Sequence, residues 1–142
     1  IPILVTLLSD TDEEVKAIKD SGVPVWLVQG ETDSVVATEE CSKRLFAILT
    51  EGQEVTETAV KQEMEQDSDF TTYETADGKY KLSLYETTED DKLRFAEDYD
   101  RDGEMTEVLY SNHWSWIYTL KNNPQAADGT HIVDWAAGFV NK

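Results

Sequence analysis

Two short apolar runs enclose a helical segment at the start of this chain, and that order narrows its folds more than any other feature. IPILVTLL (Ile1 to Leu8) is continuous, rich in branched residues and as long as a strand buried on both faces. VPVWLV (Val23 to Val28) repeats the pattern, with Pro24 near its first residue, where the missing N–H does least harm. Between them Thr11 and Glu14 have capping-box spacing, and Asp12 and Glu13 put acids in the first turn. Val15 and Ile18 form a short apolar stripe, and Gly22 sits where a helix stops. Strand, helix, strand is the pattern of a parallel sheet with covering helices, because parallel neighbours need a crossover connection.

Beyond the second run, Cys41, Leu45, Ile48 and Leu49 recur at the spacing of a helix buried on one face, with Thr38 as N-cap and Gly52 as stop. From Gln53 to Gly78 the sequence turns polar and acidic without a sustained period. The expectation there is an inserted excursion, with TAVKQEMEQ as an exposed helical turn or two. KYKLSLYET (Lys79 to Thr87) restores alternation, with Tyr80, Leu82 and Leu84 on one side, and is expected as the next strand of the sheet. KLRF and MTEVLY then read as a small hairpin joined through EDYDRDGE, with Asp102 and Gly103 as the turn signal. A closing helix from about Thr130 puts Ile132, Ala136, Phe139 and Val140 on one stripe, capped by Asp128 or Thr130.

Charge excludes several function classes. Thirty acidic against twelve basic residues give a net charge of −18, which repels phosphate backbones and anionic membranes. Much of that charge lies between Glu51 and Glu107, where a solvated surface explains it most simply. No apolar run approaches the roughly 20 residues of a membrane span. The first residue is Ile1 and no charged leader precedes the apolar run, so an internal beginning is expected. With Cys41 as the single cysteine, an intrachain disulfide is impossible.

Two motifs carry chemistry. VPVWLVQGETD runs from a buried strand straight into Asp33, and SNHWSW sets His113 among aromatics. An imidazole can take a proton near neutral pH, and a carboxylate can hold its tautomer and stabilise the imidazolium that forms. Asp33 and His113 are therefore the candidate orienter and base of a hydrolase, with Glu31 the second choice for the acid. His131, near the start of the final helix, reads as structural. Trp114 is a candidate substrate contact, alone or with Trp116 and Tyr118 lining an acyl pocket. Trp116, Ile117 and Leu120 serve equally as core anchors, and more simply. Asp98, Asp100, Asp102 and Gly103 open like a calcium loop. The twelfth position, however, is Leu109, where a bidentate acid belongs, and an acid-rich hairpin tip explains the run better.

Taken together, a buried strand ending in G-x-x-D, a helix, a strand, a loop with His and a final helix resemble the last part of the α/β-hydrolase fold. VPVWLVQGETDSVV, KLSLYET, NHWSWIYTLKNN and GTHIVDWAA more narrowly resemble the polyhydroxybutyrate-depolymerase-like and prolyl-oligopeptidase-like serine esterases. The resemblance implies a single unit over residues 1–142: the C-terminal part of a three-layer αβα sheet of parallel strands with covering helices. That sheet would carry the acidic excursion at about 53–78 and the small hairpin. It also implies a serine hydrolase acting on carboxylic esters, less readily on peptides, with Asp33 and His113 as triad acid and base. No metal or organic cofactor is implied, and an extracellular or cell-surface setting is expected. No G-x-S-x-G elbow occurs in the 142 residues, so the nucleophilic serine is expected on an N-terminal part of the same hydrolase. That part would also cover the exposed edge of a sheet cut from a larger one. The competing expectations are a non-catalytic acidic interaction module and a calcium-dependent surface protein.

Overall fold

The computed structural model describes residues 11–115 and 129–140. Helix α1 (Thr11–Ser21) ends at Gly22, whose φ of +75° and N–H to the Lys19 carbonyl turn the chain out of the helix. Strand β1 (Val25–Gly30) follows immediately after Pro24, two residues later than the apolar run suggests. Helix α2 (Ser42–Leu49) starts after Cys41 rather than at Thr38. The Thr38 hydroxyl is engaged elsewhere, donating to the Gly30 carbonyl at 3.1 Å. The expected strand at Ile1 to Leu8 lies outside the described residues.

The next segment departs most from expectation. Gln53 to Gly78 is no excursion: it carries β2 (Val55–Val60) and β3 (Phe70–Thr75), which join β4 (Tyr80–Tyr85) in the sheet order β1-β4-β3-β2. Only β1 and β4 run parallel, and β4–β3 and β3–β2 are antiparallel. A second, two-stranded antiparallel sheet pairs β5 (Lys92–Glu97) with β6 (Thr106–Ser111). The fold is therefore a mixed sheet with a hairpin and three described helices, and the expected three-layer αβα sheet of parallel strands is wrong.

The misreading has physical causes. β2 is a sheet edge with most of its side chains in solvent, so VTETAV needs no apolar face and shows no period. In β3 the inward positions of FTTYET include Thr72 and Thr75, which fit a pleated surface but are invisible to a hydropathy pattern. Several acids of this stretch act as backbone acceptors. Asp67 accepts from the Ala96 N–H at 2.8 Å, and Asp69 from the Gln62 N–H at 2.9 Å. Asp77 accepts from the Thr75 hydroxyl at 2.7 Å and the Lys79 N–H at 3.0 Å.

β4 is central and buried along its whole length. On one face Tyr80, Leu82 and Leu84 pack with Val15 of α1 and with Phe46 and Leu49 of α2. On the other, Tyr85 packs with Phe70 and with Leu93 and Phe95 of the hairpin. Ser83 and Lys81 on this second face are both paired. Ser83 accepts from the Trp26 indole at 3.0 Å and lies 3.2 Å from the Thr72 hydroxyl, while Lys81 meets Glu74 at 3.3 Å above the Trp26 ring. Ser68 holds the hairpin in place, its N–H reaching the Arg94 carbonyl and its hydroxyl accepting from the Arg94 N–H.

At the hairpin tip Asp98 accepts from the N–H groups of Asp102 and Gly103, and Asp102 from that of Glu104, so the run resembling a calcium loop folds a turn. Helix α3 (Ile132–Val140) closes the described chain. Its Trp135 donates to the Gly78 carbonyl at 2.9 Å and meets Trp26 edge to face. His131 accepts from the Val133 N–H, one of the otherwise orphan donors at the start of α3.

Candidate functional site

The parallel pairing of β1 and β4 brings their carboxyl ends together, and the Glu31 N–H extends the ladder by one bond to the Tyr85 carbonyl. The chain then turns through Gly30 to Asp33, whose N–H returns to the Gly30 carbonyl at 3.2 Å. From the other side, β6 ends at Ser111 and tightens into a 3-10 turn over Asn112–Trp114. The Ser111 hydroxyl accepts from the His113 N–H, which sets the first residues of that turn.

These two exits place His113 Nδ1 3.0 Å from Asp33 Oδ2, across 80 positions of sequence. The carboxylate is buried, with 4% of its side chain exposed, whereas 37% of the imidazole is exposed. Each carboxylate oxygen has its own work. Oδ1 accepts from the N–H groups of Val35 at 2.9 Å and Val36 at 3.1 Å, a side-chain turn that fixes the carboxylate plane. Oδ2 accepts from the Gln29 amide at 3.2 Å and faces His113.

Burial of Asp33 alone would raise its pKa. The hydrogen bonds from His113, the Val36 N–H, Gln29 and the Val35 N–H outweigh burial and hold the carboxyl below the ordinary carboxylate range. An ionised carboxylate only accepts, so Nδ1 must carry the proton. Whenever the ring is neutral, its lone pair is thereby left on Nε2, which takes no hydrogen bond from any described residue.

The depressed carboxyl links stability to pH. Asp33 binds its proton less readily folded than unfolded, so its contribution is complete above the unfolded value, near 3.8, and is lost as pH falls through the lower folded value. The melting-temperature gap between the wild type and Asp33→Asn should therefore be widest above about pH 5 and should close on acidification. A gap constant from pH 7 to pH 2 would mean that the carboxyl is not held low.

Asp33 and His113, the two residues expected to act together, are thus brought together. Glu31, the second choice for the acid, is exposed, and no described hydrogen bond joins it to His113. Trp114 is 45% exposed, with its ring 6.4 Å from that of Tyr110. Trp116, Ile117, Tyr118 and Leu120 lie outside the described residues. Cys41 is half-buried, and burial together with the charges of Glu40 and Asp33 pushes its thiol up, away from the thiolate a nucleophile needs.

Five supporting residues, Gln29, Gly30, Thr32, Thr87 and Asn112, were given no role from the sequence, although Gly30 opens the G-x-x-D motif. Gln29 is the polar break in the apolar strand, four residues before Asp33, and its amide also donates to the Val36 carbonyl. Gly30 admits the backbone of the 3-10 turn, since a Cβ there would sit 2.5 Å from the Asn112 carbonyl oxygen. Asn112 donates to the Thr32 carbonyl at 2.7 Å, and Thr32 meets the Thr87 hydroxyl at 2.7 Å. Position was the available signal: Gln29 interrupts an apolar strand, and Asn112 precedes the candidate base.

No protein-family model, curated protein or solved structure matches the chain. The resemblance to α/β-hydrolase esterases is therefore withdrawn, for want of a family match and because the sheet is mixed.

Proposed function

We propose that Asp33 and His113 are the orienter and general base of a serine hydrolase that cleaves carboxylic esters by acyl transfer. The observation that carries this reading is the 3.0 Å contact between Nδ1 and a buried, fully hydrogen-bonded carboxylate, with the rest of the ring turned outward. Two features support it. The carboxylate is held low in pKa and fixed by hydrogen bonds from Gln29, Val35 and Val36, so imidazolium formed at Nε2 is stabilised with little reorganisation. The pair also stands at the carboxyl end of the parallel strands, where sheets present ligand-facing loops.

The nucleophilic hydroxyl belongs to polypeptide outside the described residues, the N-terminal part of the enzyme in this reading. Nε2 takes the serine proton as Oγ bonds to the acyl carbon, and returns it to the departing alcohol as the C–O bond breaks. Water then repeats the sequence on the acyl-enzyme, with its proton passing through the same nitrogen. The substrate is an ester, whether free or borne on a polysaccharide or polyester. Trp114 is the side chain best placed by exposure and sequence to touch it.

The test is covalent labelling of the intact protein with a fluorophosphonate, which phosphonylates only activated serines, followed by mass analysis of the labelled peptide. A labelled serine whose reactivity disappears in His113→Gln is the expected result. An intact preparation that takes no label and hydrolyses no activated ester would leave the pair as a structural tie in a non-catalytic acidic interaction module.

A further inference from the structure

We infer that Asn112 is a positioning residue that sets the His113 imidazole against Asp33, an inference that rests on reading those two as base and orienter. Its side chain is buried, with the residue 5% exposed. Nδ2 donates to the Thr32 carbonyl at 2.7 Å and lies 3.3 Å from the Thr32 hydroxyl oxygen. Asn112 immediately precedes His113, and Thr32 immediately precedes Asp33. The amide therefore fixes the two backbones to each other one residue away from the bond that matters.

The anchor on the Thr32 side is itself braced. The Thr32 hydroxyl meets that of Thr87, two residues past the end of β4, at 2.7 Å, so the exits of β1 and β4 and the turn after β6 form one network. Gly30 completes it by letting the Asn112 backbone come close to β1. An amide suits the position because the Thr32 carbonyl can only accept. A carboxylate would turn an acceptor toward it, and an aliphatic side chain would leave it without this donor. Without the amide, the histidine contact would be the one described hydrogen bond left between these segments, 80 positions apart. A base misplaced by about 1 Å costs ~100-fold in rate.

The experiment compares Asn112→Leu and Asn112→Ala with the wild type in the intact protein, with Ser68→Ala as a control. Ser68 is buried and holds the hairpin through Arg94, so its loss tests general destabilisation. Three quantities are read: the His113 Nδ1 proton resonance by NMR, the thermal midpoint, and kcat and KM on an activated ester. Both Asn112 variants should lose the Nδ1 resonance to solvent exchange and drop kcat by ~100-fold with KM unchanged. Ser68→Ala should melt earlier and keep the resonance.

Retention of the resonance in a folded Asn112 variant overturns the inference, and if Asn112→Leu fails to fold, Asn112→Ala decides. Loss of the resonance in Ser68→Ala as well overturns it too, because any destabilisation would then suffice. Should the wild type cleave no ester while the resonance still depends on Asn112, the positioning role stands and the esterase reading fails.

Discussion

On the proposed mechanism, His113→Ala is expected to lower kcat on an activated ester by roughly 10⁶, because the proposed serine then has no acceptor for its proton and no other described group in the site replaces it. Asp33→Asn should cost about 10⁴ by a different route. The asparagine carbonyl can still accept from the Val35 and Val36 N–H groups, so the turn after β1 survives. Its amide would then face His113 as a donor where Oδ2 accepted. Nδ1 must in response become the acceptor and Nε2 take the proton, which is the tautomer that cannot act as base. The same amide meets the Gln29 Nε2, so two donors collide and one hydrogen bond is lost on that side. Steady-state kinetics of both variants, with circular dichroism to show that they are folded, test the claim. Rates within tenfold of wild type in His113→Ala would exclude the base. Full activity in Asp33→Asn would reduce Asp33 to a turn former.

The separate legibility of site and fold follows from what each depends on. Asp33 and His113 announced themselves because a strand exit and an aromatic-flanked histidine are local patterns, and the contact needs only that two exits meet. The sheet depends on pairing, which local pattern does not encode. β4 was legible because Tyr80, Leu82 and Leu84 alternate against α1 and α2. The hairpin was legible because Asp102 and Gly103 mark its turn, where Gly103 adopts a φ of +87°. β2 and β3 were hidden because threonines and half-exposed residues fill their faces, and because acids such as Asp67 and Asp69 look solvated while binding backbone amides. With those two strands unseen, β1 and β4 were read as part of a wholly parallel sheet. The parallel pairing of β1 with β4 and helix α2 between them are as expected, but β2 and β3 in the same crossover are not.

The supporting residues were hidden for another reason: a glycine required for space leaves no mark in a hydropathy pattern, and Gly30→Ala tests that requirement directly. Gly30 lies in β1 without a positive φ, so an alanine there meets no conformational objection. Its cost is contact alone. The added Cβ would sit 2.5 Å from the Asn112 carbonyl oxygen and 3.3 Å from the Asn112 Cβ, and the nearer of these is backbone that cannot swing aside. The 3-10 turn must therefore withdraw from β1, taking His113 with it. A stability loss of about 1–3 kcal/mol is expected from the overpacking. A ~100-fold fall in kcat is expected from the displaced base. Gly138→Ala is the counterpart, since its Cβ would meet nothing within 4 Å. Alanine in the body of α3 should stabilise the protein by about 0.5–1 kcal/mol and leave activity alone. Gly30→Ala touches neither the carboxylate nor the imidazole, so a rate loss in a folded variant isolates their separation as the cause. An alanine tolerated at Gly30 with unchanged stability and rate would mean that the turn carrying His113 does not depend on its close approach to β1.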